Sequence, residues 1–347
     1  MKRTNEYLND IVQQEKPNIA TCRRVKVTGA VRDIHLVEKM FKDMEADNVI
    51  NIISVSDILD NKGETRKRQF IDLVINEKES NMVAKSAKEV CRVIPICNQK
   101  GGVSKSATTV QLAAGLSRLG YKVLVIDADA QATLTKNLGF KDPTTYKESL
   151  TSIFEKYMND EDVEPDFGII HHKEGFDLVP SNIRLAGIEL ALVNVMNRER
   201  ILKDYVTMER LFYDYILIDC MPSLGMITIN VLVAADSVII PAEADLTSAD
   251  GLQELIKTIF KVKRQINPDL YIEGILLSKV DLRTNYAKEM KELLNDTYGN
   301  DIKFFEKFIP LSVKVAECAV DGSSVFTHAP KSKAADAYMS LAKEVSC

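Results

Sequence analysis

The chain has 347 residues, of which 46% are hydrophobic, and a formal net charge of -5. That length accommodates about two domains. The acidic balance excludes a uniformly basic nucleic-acid coat but leaves room for local basic patches. No apolar run approaches membrane-spanning length, and none follows Met1-Lys2-Arg3-Thr4-Asn5-Glu6 as a signal segment, so the expectation is a cytoplasmic protein with no membrane partner. The cysteines form no Cys-x-x-Cys pair, and His171-His172 lacks ligand spacing, so neither signals a metal. The two histidine rings are expected on opposite faces of a strand, in a surface role.

The first ninety residues read as a small mixed module. A helix near 4–15 ends before Pro17. Arg24-Val25-Lys26-Val27 reads as a strand, and Asp33 to Phe41 begins a helix reaching about residue 47. Two β-like runs follow, Val49 to Val55 and Phe70 to Ile75. Asn61 to Arg68 joins them as a hairpin tip carrying Arg66-Lys67-Arg68. Two readings stay open. Helix plus hairpin resembles a winged-helix piece whose basic tip touches DNA backbone. The other reading is an α+β module for dimerisation or partner docking. Pattern and charge change near residue 90, which sets an N-terminal domain at 1–90 and a second domain at 91–347.

From Cys91 onward, apolar runs alternate with helical periodicity. The strands are Arg92 to Cys97, Val123 to Ile126, Tyr215 to Ile218, Ser237 to Ile240 and Ile272 to Leu277. Near-continuous Val/Ile/Leu runs mark strands buried on both faces. Helices are expected around 106–119, 182–208, 224–234, 248–264, 284–296 and 334–345. The alternation predicts an α/β fold with a doubly wound, mostly parallel sheet, whose ligands sit at the carboxyl ends of the strands.

Three candidate sites fall at such ends. Asn98-Gln99-Lys100-Gly101-Gly102-Val103-Ser104-Lys105-Ser106-Ala107 links a strand to a helix. Glycines let backbone N–H groups approach phosphate, the helix N-terminus adds a favourable dipole, Lys105 reaches the outer phosphates and the Ser106 hydroxyl suits Mg²⁺. Gln99 and Ser104 stand where the strict phosphate-loop pattern has glycine, and a side chain at Ser104 is expected to narrow the cradle. Asp127-Ala128-Asp129 closes the second strand with two carboxylates on one face. Asp219 ends the third and resembles a Walker B carboxylate, which holds Mg²⁺ through water.

Lys-Gly-Gly-Val-x-Lys-Ser at 100–106, Asp-x-Asp-x-Gln at 127–131 and Tyr-Asp-Tyr-Ile-Leu-Ile-Asp at 213–219 together resemble the deviant Walker ATPases of the ParA type, of the larger kind with an extra N-terminal domain. The resemblance runs over roughly 91–345 and includes Val179-Pro180-Ser181-Asn182 and Ala234 to Pro241. It implies a P-loop ATPase using ATP and Mg²⁺, with slow hydrolysis. Lys100 resembles the signature lysine that reaches across a dimer interface to the partner's nucleotide. Lys105 and residues 101–107 would bind phosphate. Asp129 would position the attacking water, while Ser106, Asp127 and Asp219 would support the metal. Pro310 and Val313 fall in a segment resembling the nucleotide-base wall, where Leu311 and Ser312 replace the arginine and asparagine more usual in the family.

The resemblance implies a DNA segregation switch. ATP closes a homodimer that binds DNA non-specifically, and a ParB-like centromere-binding partner stimulates hydrolysis and release. The protein would then be nucleoid-associated, and the N-terminal domain would allow autorepression. Lys257, Lys261, Lys263 and Arg264 on one helix, with Lys331, Lys333 and Lys343, are the phosphate-contact candidates. The alternatives are a membrane-surface positioning ATPase of the MinD type and a nucleotide-gated DNA-binding repressor.

Overall fold

The computed structural model describes residues 22–30, 50–59, 65–76, 91–164, 166–243, 247–281, 289, 298 and 302–346. It divides into two compact units. In the smaller, β1 (Cys22–Ala30), β2 (Ile50–Leu59) and β3 (Thr65–Asn76) form an antiparallel sheet in the order β1-β3-β2. Residues such as Ile50, Ile52, Ile53 and Val55 favour this pleated form. The register runs from Cys22↔Asn76 to Ala30↔Arg68 on one side of β3 and reaches Leu59↔Thr65 on the other. Arg66, Lys67 and Arg68 therefore lie within β3 and not at a hairpin tip, because pairing continues past them. The helices expected at 4–15 and 33–47 lie outside the described residues, as does all of that at 284–296 except residue 289.

From Arg92 the elements are β4 (Arg92–Ile96), α1 (Lys105–Arg118), β5 (Val123–Ala128), α2 (Thr133–Asn137), α3 (Leu150–Met158), β6 (Ile170–His171), β7 (Asp177–Val179), α4 (Leu185–Ala191), α5 (Ile201–Glu209), β8 (Tyr215–Cys220), α6 (Met226–Ala234), β9 (Ser237–Glu243), α7 (Thr247–Gln265), β10 (Tyr271–Ser278), α8 (Val313–Asp321), α9 (Val325–His328) and α10 (Lys333–Val345). The strands form one seven-stranded sheet in the order β10-β9-β4-β8-β5-β7-β6. All pairs are parallel except β6 with β7. The chain leaves β4 for β5 and β8 on one side, then crosses to β9 and β10 on the other. The switch point therefore lies beside the carboxyl end of β4, where such sheets open a crevice for ligands.

Apolar burial holds the frame. Val93, Ile94, Ile96, Leu124, Val125, Ile126, Ile216, Leu217 and Ile218 have no exposed surface. Each such side chain contributes about 1.5–3 kcal/mol on burial. Helix α1 packs against α10 so closely that a Cβ at Gly115 would lie 2.8 Å from the Ala342 Cβ. Only glycine fits there. Asn267 closes the end of α6, its amide donating to the carbonyls of Leu232, Val233 and Ala235 at 3.0, 3.3 and 2.7 Å.

Two further expectations need correction. The long helix at 182–208 is two helices, because Val195 is extended (φ -92°, ψ 134°) and Asn197 takes φ +53°. Asparagine tolerates that left-handed conformation and breaks the helical run. The paired histidines do point apart, but only His171 is at the surface, paired with Asp177. His172 is buried, stacked on Phe176 with ring centroids 5.0 Å apart and a ring nitrogen 3.1 Å from the Leu138 carbonyl. Burial lowers its pKa.

Candidate functional site

The loop from Cys97 to Ser104 leaves β4 at the switch point and turns into α1. Asn98 anchors it. Its buried amide donates to the Pro241 carbonyl of β9 at 2.6 Å and accepts from the Lys100 N–H at 2.9 Å. The turn needs left-handed backbone at Gly102 (φ +83°) and again at Ser104 (φ +68°). The second value explains why glycine is usual at that position. Serine adopts it at a cost of about 1–2 kcal/mol. A Cβ at Gly101 or Gly102 would meet nothing within 4 Å, so both face open space. Helix α1 begins at Lys105, whose Nζ folds back to donate to the Lys100 carbonyl at 3.1 Å. A 14-residue helix presents its unpaired N–H groups and its positive dipole end to that space.

The space is a cleft of about 680 Å³, within the usual range for cofactor sites. Gly101, Gly102, Ser104, Lys105, Ser106, Ala107 and Asp129 line it, and Pro310, Leu311 and Val313 form an apolar wall. Four of the expected residues stand outside that lining. Val103 is fully buried, and only its backbone serves the loop. Lys100 is half-buried. Asp127 and Asp219 lie beneath the cleft, adjacent across β5 and β8.

The two buried carboxylates differ. Asp127 accepts from the Asp129 N–H at 3.2 Å, the Thr135 N–H at 2.9 Å and the Thr135 hydroxyl at 2.6 Å. It is tied to the start of α2. Burial nevertheless pushes its pKa up to about 6. Asp219 is 1% exposed and neither oxygen has a well-formed hydrogen bond. Burial, then the Asp127 charge, push its pKa well above the carboxylate range, while the Ser106 hydroxyl and Lys105 act in the opposite sense. Asp129 is half-buried, and its Oδ1 accepts from the Gln131 N–H at 2.9 Å. A carboxylate buried without donors is costly unless a cation completes it.

Sequence reasoning gave Asn98 and Tyr338 no role of their own and missed Thr135 and Asn137. Asn98 carried a signal, a polar residue ending an apolar strand. Asn137 and Tyr338 line the cleft from α2 and α10, and no spacing in the chain announces that convergence. The basic candidates on α7 do come together: Lys257, Lys261, Lys263 and Arg264 surround the exposed Phe260 in an open concavity. Lys331, Lys333 and Lys343 are exposed at the two ends of α10.

A phosphate-type loop at the switch point of a parallel sheet, with buried carboxylates on the neighbouring strands, defines a P-loop nucleotide-binding protein. A family model described as an AAA domain matches residues 91–272. The sporulation initiation inhibitor protein Soj of Bacillus subtilis is 37% identical over 254 residues, spanning 73% of this chain and 98% of that protein. The chromosome partitioning protein ParA of Myxococcus xanthus is 38% identical over 259 residues, covering 74% and 88%. Among solved structures, cobyrinic acid a,c-diamide synthase from Mycobacterium smegmatis with bound ATP analog and magnesium aligns with a TM-score of 0.63 and 34% identity, over 73% of this chain and 93% of that one. The chain belongs to the ParA-type deviant Walker partition ATPases.

Proposed function

We propose that the chain is an ATP-dependent DNA partition switch that hydrolyses ATP slowly. The cradle at 101–107 binds the phosphates of ATP, with Lys105 on the outer phosphates. The observation that carries this is Asp219: a buried carboxylate with no well-formed hydrogen bond, beside Ser106 and Lys105, fits a site completed by Mg²⁺. Ser106 would ligate the metal, and Asp219 and Asp127 would support it. When bound, Mg²⁺ neutralises charge on the phosphate oxygens. Asp129, in the cleft, positions the attacking water. Pro310 and Val313 pack on the adenine base.

Lys100 acts across a homodimer, on the partner's nucleotide. Its half-buried place outside the cleft lining accords with that role. Nucleotide changes the state of the protein only through its different fit to the open and closed arrangements. The closed dimer holds DNA through phosphate contacts from the α7 cluster and the ends of α10. A ParB-like centromere-binding partner then stimulates hydrolysis and releases it on the nucleoid. Residues 1–90 form a separate domain, for autorepression through DNA contact or for partner docking. Binding of the full chain to its own upstream DNA chooses between those two.

The membrane-surface reading has less support. Tyr338, Leu341 and Val345 of α10 are buried in the core and are not held out as an anchor. No helix among the described residues is long and apolar enough to cross a membrane. The test is sizing of the protein with ATP, ADP or no nucleotide, followed by a salt titration of DNA binding. The expected result is a dimer with ATP alone and DNA affinity falling steeply with salt. A monomer in saturating MgATP, or a flat salt response, refutes the switch. An Asp129→Ala variant should bind ATP and fail to turn it over. Normal turnover there removes the water-positioning role.

A further inference from the structure

Ser278, the last residue of β10, and Lys279, the next in the chain, hold carbonyls of the phosphate loop. The buried Ser278 hydroxyl donates to the Val103 carbonyl at 3.1 Å. The next side chain, Lys279, donates from Nζ to the Gly102 carbonyl. The same Nζ is 2.9 Å from a Glu243 carboxylate oxygen, and Glu243 is the register partner of Ser278 on the neighbouring strand. Lys279 also takes φ +53°, a left-handed backbone that a non-glycine residue adopts at a cost. Lys279 lines the cleft beside Gly101 and Gly102.

We propose that Lys279 and Ser278 are positioning residues that preset the loop for phosphate by holding two successive carbonyls turned away. In a trans peptide the N–H points opposite to the C=O. Fixing the Gly102 carbonyl on Lys279 therefore fixes the direction of the Val103 N–H. Fixing the Val103 carbonyl on Ser278 likewise fixes the Ser104 N–H. Successive N–H groups held in one direction make a concave anion site. A loop containing two adjacent glycines samples many other arrangements without such a hold. Glu243 keeps the Lys279 ammonium on the loop and off the bound anion, which separates Lys279 in role from Lys105. The proposal rests on the reading of the cleft as an ATP site.

The test measures affinity for MgATP, MgADP and AMP in the full chain, together with turnover at saturating MgATP. Lys279→Gln is expected to weaken MgATP and MgADP alike by about tenfold and to spare AMP, with turnover at saturation falling less than affinity, as for a lost charge-assisted hydrogen bond that organises the site. Lys279→Arg should recover most of the affinity, because a guanidinium still donates to the carbonyl and pairs with Glu243. Ser278→Ala should shift both nucleotides in the same direction. Three outcomes overturn the proposal: affinity unchanged in Lys279→Gln, loss for MgATP with MgADP spared, or no recovery with arginine. If the unmodified chain fails to bind MgATP, the reading of the cleft itself fails. If it binds and Lys279→Gln binds equally well, only the positioning role is lost.

Discussion

Glu174 and Asp219 are both buried carboxylates of the larger unit, and their surroundings are opposite. Glu174 accepts from the Ser324 N–H at 2.9 Å, the Ser324 hydroxyl at 2.7 Å and Arg118 at 3.0 Å. Burial pushes its pKa up, but the Ser324 backbone and hydroxyl, with Thr327 and Arg118, outweigh it and leave it below the usual glutamate value. Asp219 has no such set of donors, and its pKa is driven the other way. The first carboxylate is finished by the fold and ties the β6–β7 region to the start of α9. The second is left for something the fold does not supply. A satisfied buried charge reads as structure, and an unsatisfied one beside a ligand cleft reads as function.

Asp219→Asn gives the largest expected effect and tests the second half of that contrast. Removing the charge that completes the metal site should lower ATP turnover by about a hundredfold or more. The same change should stabilise the nucleotide-free protein at neutral pH by about 1–3 kcal/mol, since a neutral amide costs less to bury than a bare carboxylate. The pH sign follows from the raised pKa. A carboxyl raised above its unfolded value supports the fold while protonated, and that support is lost as pH rises through the folded value. Melting curves should therefore show the variant ahead at pH 7.5, with the gap closing on acidification. A variant that melts below the parent at pH 7.5 would mean that Asp219 is satisfied after all.

Glu174→Gln should act in reverse, with activity retained and stability lost. An amide cannot accept from Arg118 and both Ser324 donors as a charged group does, so a loss of about 2 kcal/mol is expected at pH 7. Because the folded pKa is lowered, the wild-type advantage is present above the unfolded value and disappears as pH falls through the folded one. The gap between the two proteins should shrink below about pH 4.5. Chemical denaturation across that range checks it. An unchanged midpoint at pH 7 would erase the distinction from Asp219.

Asp219 was legible in the chain and Glu174 was not. Asp219 closes a run of four apolar residues, so its place at a strand end followed from local pattern alone. The phosphate loop and Asp129 were legible for the same reason, each lying within ten residues of a strong strand or helix signal. Glu174 sits beside a two-residue and a three-residue strand, β6 and β7. Such elements are too short to show a period, and its partners Arg118 and Ser324 lie 56 and 150 residues away. The apolar wall was legible only through resemblance, because its place over the loop depends on Val280 bridging to Pro310. The break in the expected helix at 182–208 rests on one left-handed asparagine, which apolar spacing does not register.

The smallest prediction concerns another cost left standing at the cleft. Ser104 holds φ +68° at the N-terminus of α1, and its side chain makes no capping hydrogen bond there. Ser104→Gly removes the left-handed penalty of about 1–2 kcal/mol. It also loosens the unfolded chain, which takes back about 0.4–1 kcal/mol. The net is a gain of about 0.5 kcal/mol, or about 0.7 °C in Tm for a protein of this size. Nucleotide affinity should stay the same or rise slightly, since the backbone already has the conformation that glycine prefers. If Tm falls instead, the serine hydroxyl contributes to the empty loop, and the strain at Ser104 is relieved by the fold as fully as the charge on Glu174.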